Sequence, residues 1–173
     1  MVAARATRPA KGRPAEESSS LQSLDRIDAR IIRLLQSDGR LGNAEIAKRV
    51  HTSAATCHRR IQRLFAEGYI SSVRALVDPH KVGRGSLVIV GVVLDRSTPD
   101  SFATFEAAAR SMPMILDCHL VAGDFDYFLK IRVRDMADFN RLHGEKLIAL
   151  PGVRQTRTFF VMKEVIDNAP LSL

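Results

Sequence analysis

Residues 43–64 read NAEIAKRVHTSAATCHRRIQRL, and the reading of this stretch decides what kind of molecule the chain is. Asn43 is a good helix N-cap, with Ile46, Ala47 and Val50 on the inner face of a short helix. His51-Thr52 makes a brief turn, Ser53 caps again, and a further helix runs to about Ala66, stopped by Gly68. At 100° per residue, Ile61 lies about 40° and Leu64 about 340° from Cys57, so the three share an inward stripe. Ala55 at about 160° and Arg59 at about 200° face outward. The adjacent Cys57 and His58 therefore diverge, and the thiol packs as a small hydrophobe. No second Cys or His stands at ligand spacing, so neither an activated nucleophile nor a zinc site is expected here.

Two short helices joined by a tight turn, the second presenting small and basic residues, make the pattern of a helix-turn-helix. Its second helix enters the major groove of double-stranded DNA by the N-terminal end. Ser53 opens that helix, and Ala54 and Ala55 permit close approach. Thr56, His58 and Arg59 are placed to reach base edges or phosphates. Lys48, Arg49, Arg60 and Arg63 are better placed for phosphates, which fix register without reading sequence. A trihelical domain with a solvated basic face satisfies the same pattern.

Working outward, Leu24, Ile27, Ile31, Leu34 and Leu35 form a helical stripe ended by Asp38-Gly39. Tyr69-Ile70 and Val73–Val77 suggest a short β-ribbon, the wing of the motif. Residues 1–22 are rich in Pro, Ala, Ser and charge and read as a disordered basic tail. The domain boundaries follow: DNA-binding domain 23–80, linker 81–85, second domain 86–173. The net charge of +7 is uneven: residues 24–80 hold ten basic and six acidic side chains, residues 81–173 twelve and eleven. An anionic partner for the first half alone is implied. No apolar run approaches the ~20 residues that span a bilayer, no secretory h-region is visible, and two lone cysteines fit a reducing cytoplasm.

In the second half, Ser86–Leu94 is an apolar run of strand length, and Pro99–Ser111 is a helix capped by Thr98. Leu116–Val121 and Phe125–Val133 are strands around Gly123-Asp124, Met136–Leu150 is helical, and Val153–Val165 is a last strand. The order β-α-β-β-α-β is that of a ferredoxin-like sheet, so the fold class is α+β: a winged helix-turn-helix domain plus a ferredoxin-like domain. Both faces of Ser86–Leu94 are apolar, as are Phe159–Met162. Helices cover one face, so the other is expected to meet a second subunit.

The run LDRIDARIIRLLQSDGRLGNAEIAKRVHTSAATCHRRIQRL resembles the N-terminal domain of the Lrp/AsnC, or feast/famine, family of transcription factors. CHLVAGDFDYFLKIRV, LPGV and TRTFFVMKEV resemble its effector domain, and the similarity spans residues 24 to about 166. Two positions depart from the family pattern. The turn glycine is His51, a residue that tolerates positive φ better than most. The recognition helix opens SAAT where Ser-Pro-Thr-Pro is common, so the family's DNA site does not carry over.

The resemblance implies an amino-acid effector as the only small-molecule partner, homodimers assembling to an octamer or similar ring, and effector binding near dimer–dimer contacts. The matching effector residues are Leu120, Ala122, Gly123, Asp124, Phe125 and Asp126, with Met136, Thr158, Phe159 and Phe160. If Phe125 and Tyr127 lie on the core side of their strand, Asp124 and Asp126 face away, where a carboxylate could pair with a ligand ammonium. Without the resemblance, hairpin chemistry at Gly123-Asp124 and an exposed charge at Asp126 is the favoured reading.

The expected function is sequence-specific transcriptional regulation of amino-acid metabolism. An architectural, nucleoid-type protein of low sequence preference is the alternative. An enzyme ranks last, since no nucleophile, oriented histidine or phosphate loop is present.

Overall fold

The structure, a computed structural model, describes residues 24–173; the expectation for the 1–22 tail lies outside them. The chain divides into two compact units. One ends at Arg74 and takes back Pro170–Leu173; the other is Ala75–Ala169. The division thus falls ahead of the 81–85 segment read as a linker, and the last four residues leave the second unit.

In the first unit Asp25 caps α1 (Arg26–Ser37), its side chain accepting the Asp28 amide at 2.8 Å. In α2 (Asn43–Arg49) the cap position is Gly42, one residue earlier than expected, and Asn43 makes no capping bond. The Gly42 carbonyl accepts the Ile46 amide at 3.0 Å, and the Asn43 side chain meets His58 Nδ1 at 2.8 Å. Ser53 caps α3 (Ala54–Ala66) as expected, accepting the Thr56 amide at 3.1 Å. The tight turn between α2 and α3 puts His51 at φ 57°, the left-handed region where glycine would be free of its Cβ clash. Ile31, Ile46, Cys57 and Leu64 are fully buried together, so the inward stripe read from the sequence is the core. The expected β-ribbon is not formed: residues 69–77 hold no strand, because residues 71–77 make no backbone ladder bond among the described residues, while Ile70 is buried with its amide on Leu64 O at 3.1 Å.

The second unit is a four-stranded antiparallel sheet, β1 (Ser86–Leu94), β2 (Ile115–Leu120), β3 (Tyr127–Val133) and β4 (Val153–Phe160), in the order β2-β3-β1-β4. α4 (Pro99–Arg110) and α5 (Met136–Leu142) cover one face. Phe105, Val88, Val90, Leu129 and Ile131 fill that layer at zero exposure. This is the ferredoxin-like arrangement. Three bounds differ from expectation by more than one residue. The last strand ends at Phe160 rather than Val165. The long helix gives way after Leu142 to a π-helical turn, His143–Leu147, whose wider winding seats Leu147 in the core and brings His143 Nε2 to 2.8 Å from Thr156 Oγ1.

The third difference is the start of β3. Its pairing begins at Tyr127, and the chain bends before it, so Phe125 leaves the core side where alternation would place it. Phe125 instead lies over Gly91 on the opposite face, where a Cβ on Gly91 would come 2.7 Å from the ring. It is joined there by Phe128 and Phe159, at ring centroid separations of 5.2 and 6.3 Å.

Candidate nucleic-acid interface and effector site

The N-terminal turn of α3 presents Ser53, Ala54 and Ala55 exposed, with Thr56 half-buried beside them. A helix N-terminus carries unpaired amides and partial positive charge, and small side chains there let a phosphate or base edge approach closely. Ser53 Oγ also donates to Thr56 Oγ1 at 2.9 Å, which fixes both hydroxyls. Arg59 is exposed and has no ion-pair or hydrogen-bond partner among the described residues. His58 is tied to Asn43, so the start of α2 and the outer face of α3 are pinned together. Lys48 is exposed, while Arg49 is clipped to Glu45 at 2.9 Å.

Two expected phosphate contacts are reassigned. Arg60 and Arg63 both turn back onto α1, where Asp28 is only 1% exposed. Arg60 Nη1 lies 2.9 Å from Asp28 Oδ1 and also reaches Asp25, while Arg63 Nη2 pairs with Asp28 Oδ2. The Asp28 amide, first, and the Arg60 guanidinium hold the Asp25 carboxyl below its usual range. Burying a carboxylate without counter-charge is costly, so these arginines balance Asp28 before they can serve an outside anion. The signal for this was available: Asp28 sits four residues after Leu24 and three before Ile31, inside the apolar stripe of α1.

Burial pushes the Cys57 thiol up, as expected of a core residue with no activating neighbour. Among the described residues no cluster of three or more His, Cys, Asp or Glu could hold a metal.

In the second unit the expected effector residues do not gather at one place. Ala122, Gly123 (φ 144°) and Asp124 are exposed at the β2–β3 turn. Asp126 is committed to the fold. The pairing of β1 with β3 ends at Val92 opposite Tyr127, so the Leu94 amide finds no ladder partner in β3. Asp126 Oδ2 accepts it at 2.8 Å, and Oδ1 accepts the Ser97 hydroxyl at 3.1 Å. Asp126 is therefore not a free carboxylate for an ammonium, and Ser97 is a residue that the sequence reading missed.

The remaining positions are spread over the sheet. Phe159 pairs opposite Ile89 and faces Phe125 on the open side. Thr158 and Phe160 point to the helical side, where Phe160 packs edge-on against Phe139 at 5.2 Å. Leu120 is 55% exposed opposite Tyr127, whose phenol is pushed up by burial and by its bond to Glu106. Met136 opens α5, beyond the far end of β3, roughly 20 Å of strand from the turn.

The sequence family described as the AsnC-type helix-turn-helix domain matches residues 24–64, and that described as the Lrp/AsnC ligand binding domain matches residues 87–171. The leucine-responsive regulatory protein of Salmonella typhimurium is 48% identical over 144 residues, 83% of this chain and 88% of that protein. Its counterpart in Escherichia coli K12 is 47% identical over the same shares. A transcriptional regulator of Neisseria meningitidis solved in complex with L-Met superposes with a TM-score of 0.81 at 32% identity, covering 87% of this chain and 97% of that one. An AsnC family regulator from Agrobacterium tumefaciens gives 0.81 at 30% identity, covering 86% and 96%. With both domains matched in order along most of its length, the chain belongs to the Lrp/AsnC family of transcriptional regulators, with a helix-turn-helix DNA-binding domain and a ligand-binding domain.

Proposed function

We propose that the chain works in the cytoplasm as a homo-oligomer that reads double-stranded DNA with the N-terminal half of α3 and adjusts that binding to a free amino acid. Ala54, Ala55, Thr56, His58 and Arg59 face the bases, while Lys48 and Arg49 hold phosphates. The carrying observation is Arg59: alone among the α3 arginines it is exposed and unclaimed by an acid among the described residues. The exposed turn Ala122–Asp124 supports an effector contact, with Asp124 a carboxylate unclaimed among the described residues. The Neisseria relative's complex with L-Met supports an amino acid as the ligand class. Leu87, Ile89, Val93, Phe128 and Phe159 leave an apolar sheet face without a covering helix among the described residues, which supports pairing of copies there and then a ring such as an octamer.

Selection of binding duplexes from a random pool by the full-length protein at 0.15 M salt tests this. A recovered pseudo-palindrome, whose binding shifts with one of the twenty amino acids, is the expected result. Recovery of no sequence preference would favour an architectural, nucleoid-type role and overturn the reading.

A further inference from the structure

A second cleft lies at the end of the β2–β3 hairpin opposite its turn, walled by the residues before β1, the start of β2 and the outer side of α5 with its π-helical turn. Its volume is about 580 Å³, within the ~300–1,000 Å³ range of small-molecule sites. Val77, Val82, Met114, Leu116 and Leu142 give it apolar walls.

The charges around this cleft are unbalanced in one direction. Asp138 is shared among three guanidinium groups, at 2.9 Å from Arg84, 2.7 Å from Arg141 and 3.5 Å from Arg134. The Arg134 amide, first, and that guanidinium hold its carboxyl below the usual range, so it stays an anion with nothing left to offer a ligand cation. Lys146 lines the cleft with no partner among the described residues. Arg132 also lines it. Its Nη2 lies 2.6 Å from Glu164 and 3.8 Å from Asp167, while Nη1 is buried with no hydrogen-bond partner among the described residues. A buried unpaired N–H of a cation is rare because it forfeits its solvation, and it marks a place where an acceptor belongs.

We propose that this cleft binds a small organic monoanion: a carboxylate carrying an aliphatic body. The carboxylate meets Lys146 and Arg132 Nη1, and the chain lies against Val82, Met114 and Leu116. A zwitterion fits worse, since the one well-buried acid is already shared and Glu145 is out on the exposed rim. This site is separate from the amino-acid contact proposed at the β2–β3 turn, and it does not depend on that contact.

Titration calorimetry of the full-length protein with hexanoate, hexanamide, hexylammonium and acetate tests the proposal, with three variants beside wild type. Hexanoate should bind saturably, once per chain, and weaken as salt rises. Hexanamide, hexylammonium and acetate should each bind at least tenfold more weakly, because each lacks the anion or the tail. Lys146→Met, a surface change, and Arg132→Lys, which keeps a cation for Glu164 but removes Nη1, should each weaken hexanoate about tenfold. Asp124→Ala at the other end of the hairpin should leave it unchanged. No heat with hexanoate to 10 mM, equal binding of hexanamide, or a loss in Asp124→Ala alone would overturn the proposal. So would a Leu116→Cys thiol that resists modification at assembly concentrations and reacts on dilution, since a second copy would then occupy the cleft.

Discussion

Removing Arg63 should cost fold stability and leave DNA binding nearly alone, the reverse of what a basic residue on a recognition helix suggests. Asp28 is 1% exposed, whereas the Arg60 and Arg63 side chains are 24% and 43% exposed. Arg63→Ala leaves the buried carboxylate with Arg60 still at 2.9 Å, so the loss is that of one charge-assisted bond, about 1.5–2 kcal/mol. Arg60→Ala with Arg63→Ala strands the anion without any counter-charge, and the cost rises to about 3–5 kcal/mol. The double loss is therefore at least the sum of the single ones, since the first deletion leaves a partner and the second does not. Asp28→Leu in the double background should recover most of the loss, because an apolar side chain there completes the stripe of Leu24, Ile31 and Leu35. The assay is amide exchange of α1 and α3 in the full-length protein at fixed concentration, with duplex affinity measured across a salt series. An Arg63→Ala change below about 0.5 kcal/mol, together with a salt slope lower by about one, would refute this reasoning and return Arg63 to the phosphate backbone.

Three further outcomes follow from single positions. His51→Gly should be neutral or gain about 0.5 kcal/mol, since relief of the φ 57° strain, about 1–2 kcal/mol, is offset by glycine's freedom when unfolded; His51→Val should lose more than 1 kcal/mol by thermal unfolding. Gly91→Ala should lose about 1–3 kcal/mol, because its Cβ would stand 2.7 Å from the Phe125 ring and expel it from the open face. Tyr127 should stay unionised in an ultraviolet titration at a pH where a denatured tyrosine, near ~10, has lost its proton. The sign follows: with the folded phenol pushed up, stability is whole below ~10 and falls as pH rises through the unfolded value, a dependence absent in Tyr127→Phe.

Much of this molecule was legible because period and punctuation agreed. Ser53 and Thr98 cap the helices they were read to cap, Gly68 ends α3 at φ 78°, and Cys57, Ile61 and Leu64 are buried together. The errors arose where a long-range partner overrode a local rule. On a helical wheel of α3 alone Arg60 and Arg63 project from the margin of the outward face, and only α1, thirty-odd residues away in sequence, supplies the buried acid that claims them. Asp126 reads as a free carboxylate until the end of the β1–β3 pairing at Tyr127 leaves the Leu94 amide in need of it. Alternation puts Phe125 beside Tyr127, but a bend that no period predicts turns it over Gly91. The effector residues are scattered over both faces of the sheet because a short motif carries composition, not the pairing that sets which side each residue takes.

The central claim is that α3 reads DNA through Arg59 and the small residues ahead of it. Fluorescence anisotropy of the selected duplex and of a scrambled duplex, with wild type and Arg59→Ala at 0.15 M salt, tests it most directly. Arg59→Ala should lose about 1–3 kcal/mol on the selected duplex, change little on the scrambled one, and keep wild-type amide exchange in α3. Equal losses on both duplexes, or none on either, would contradict the account.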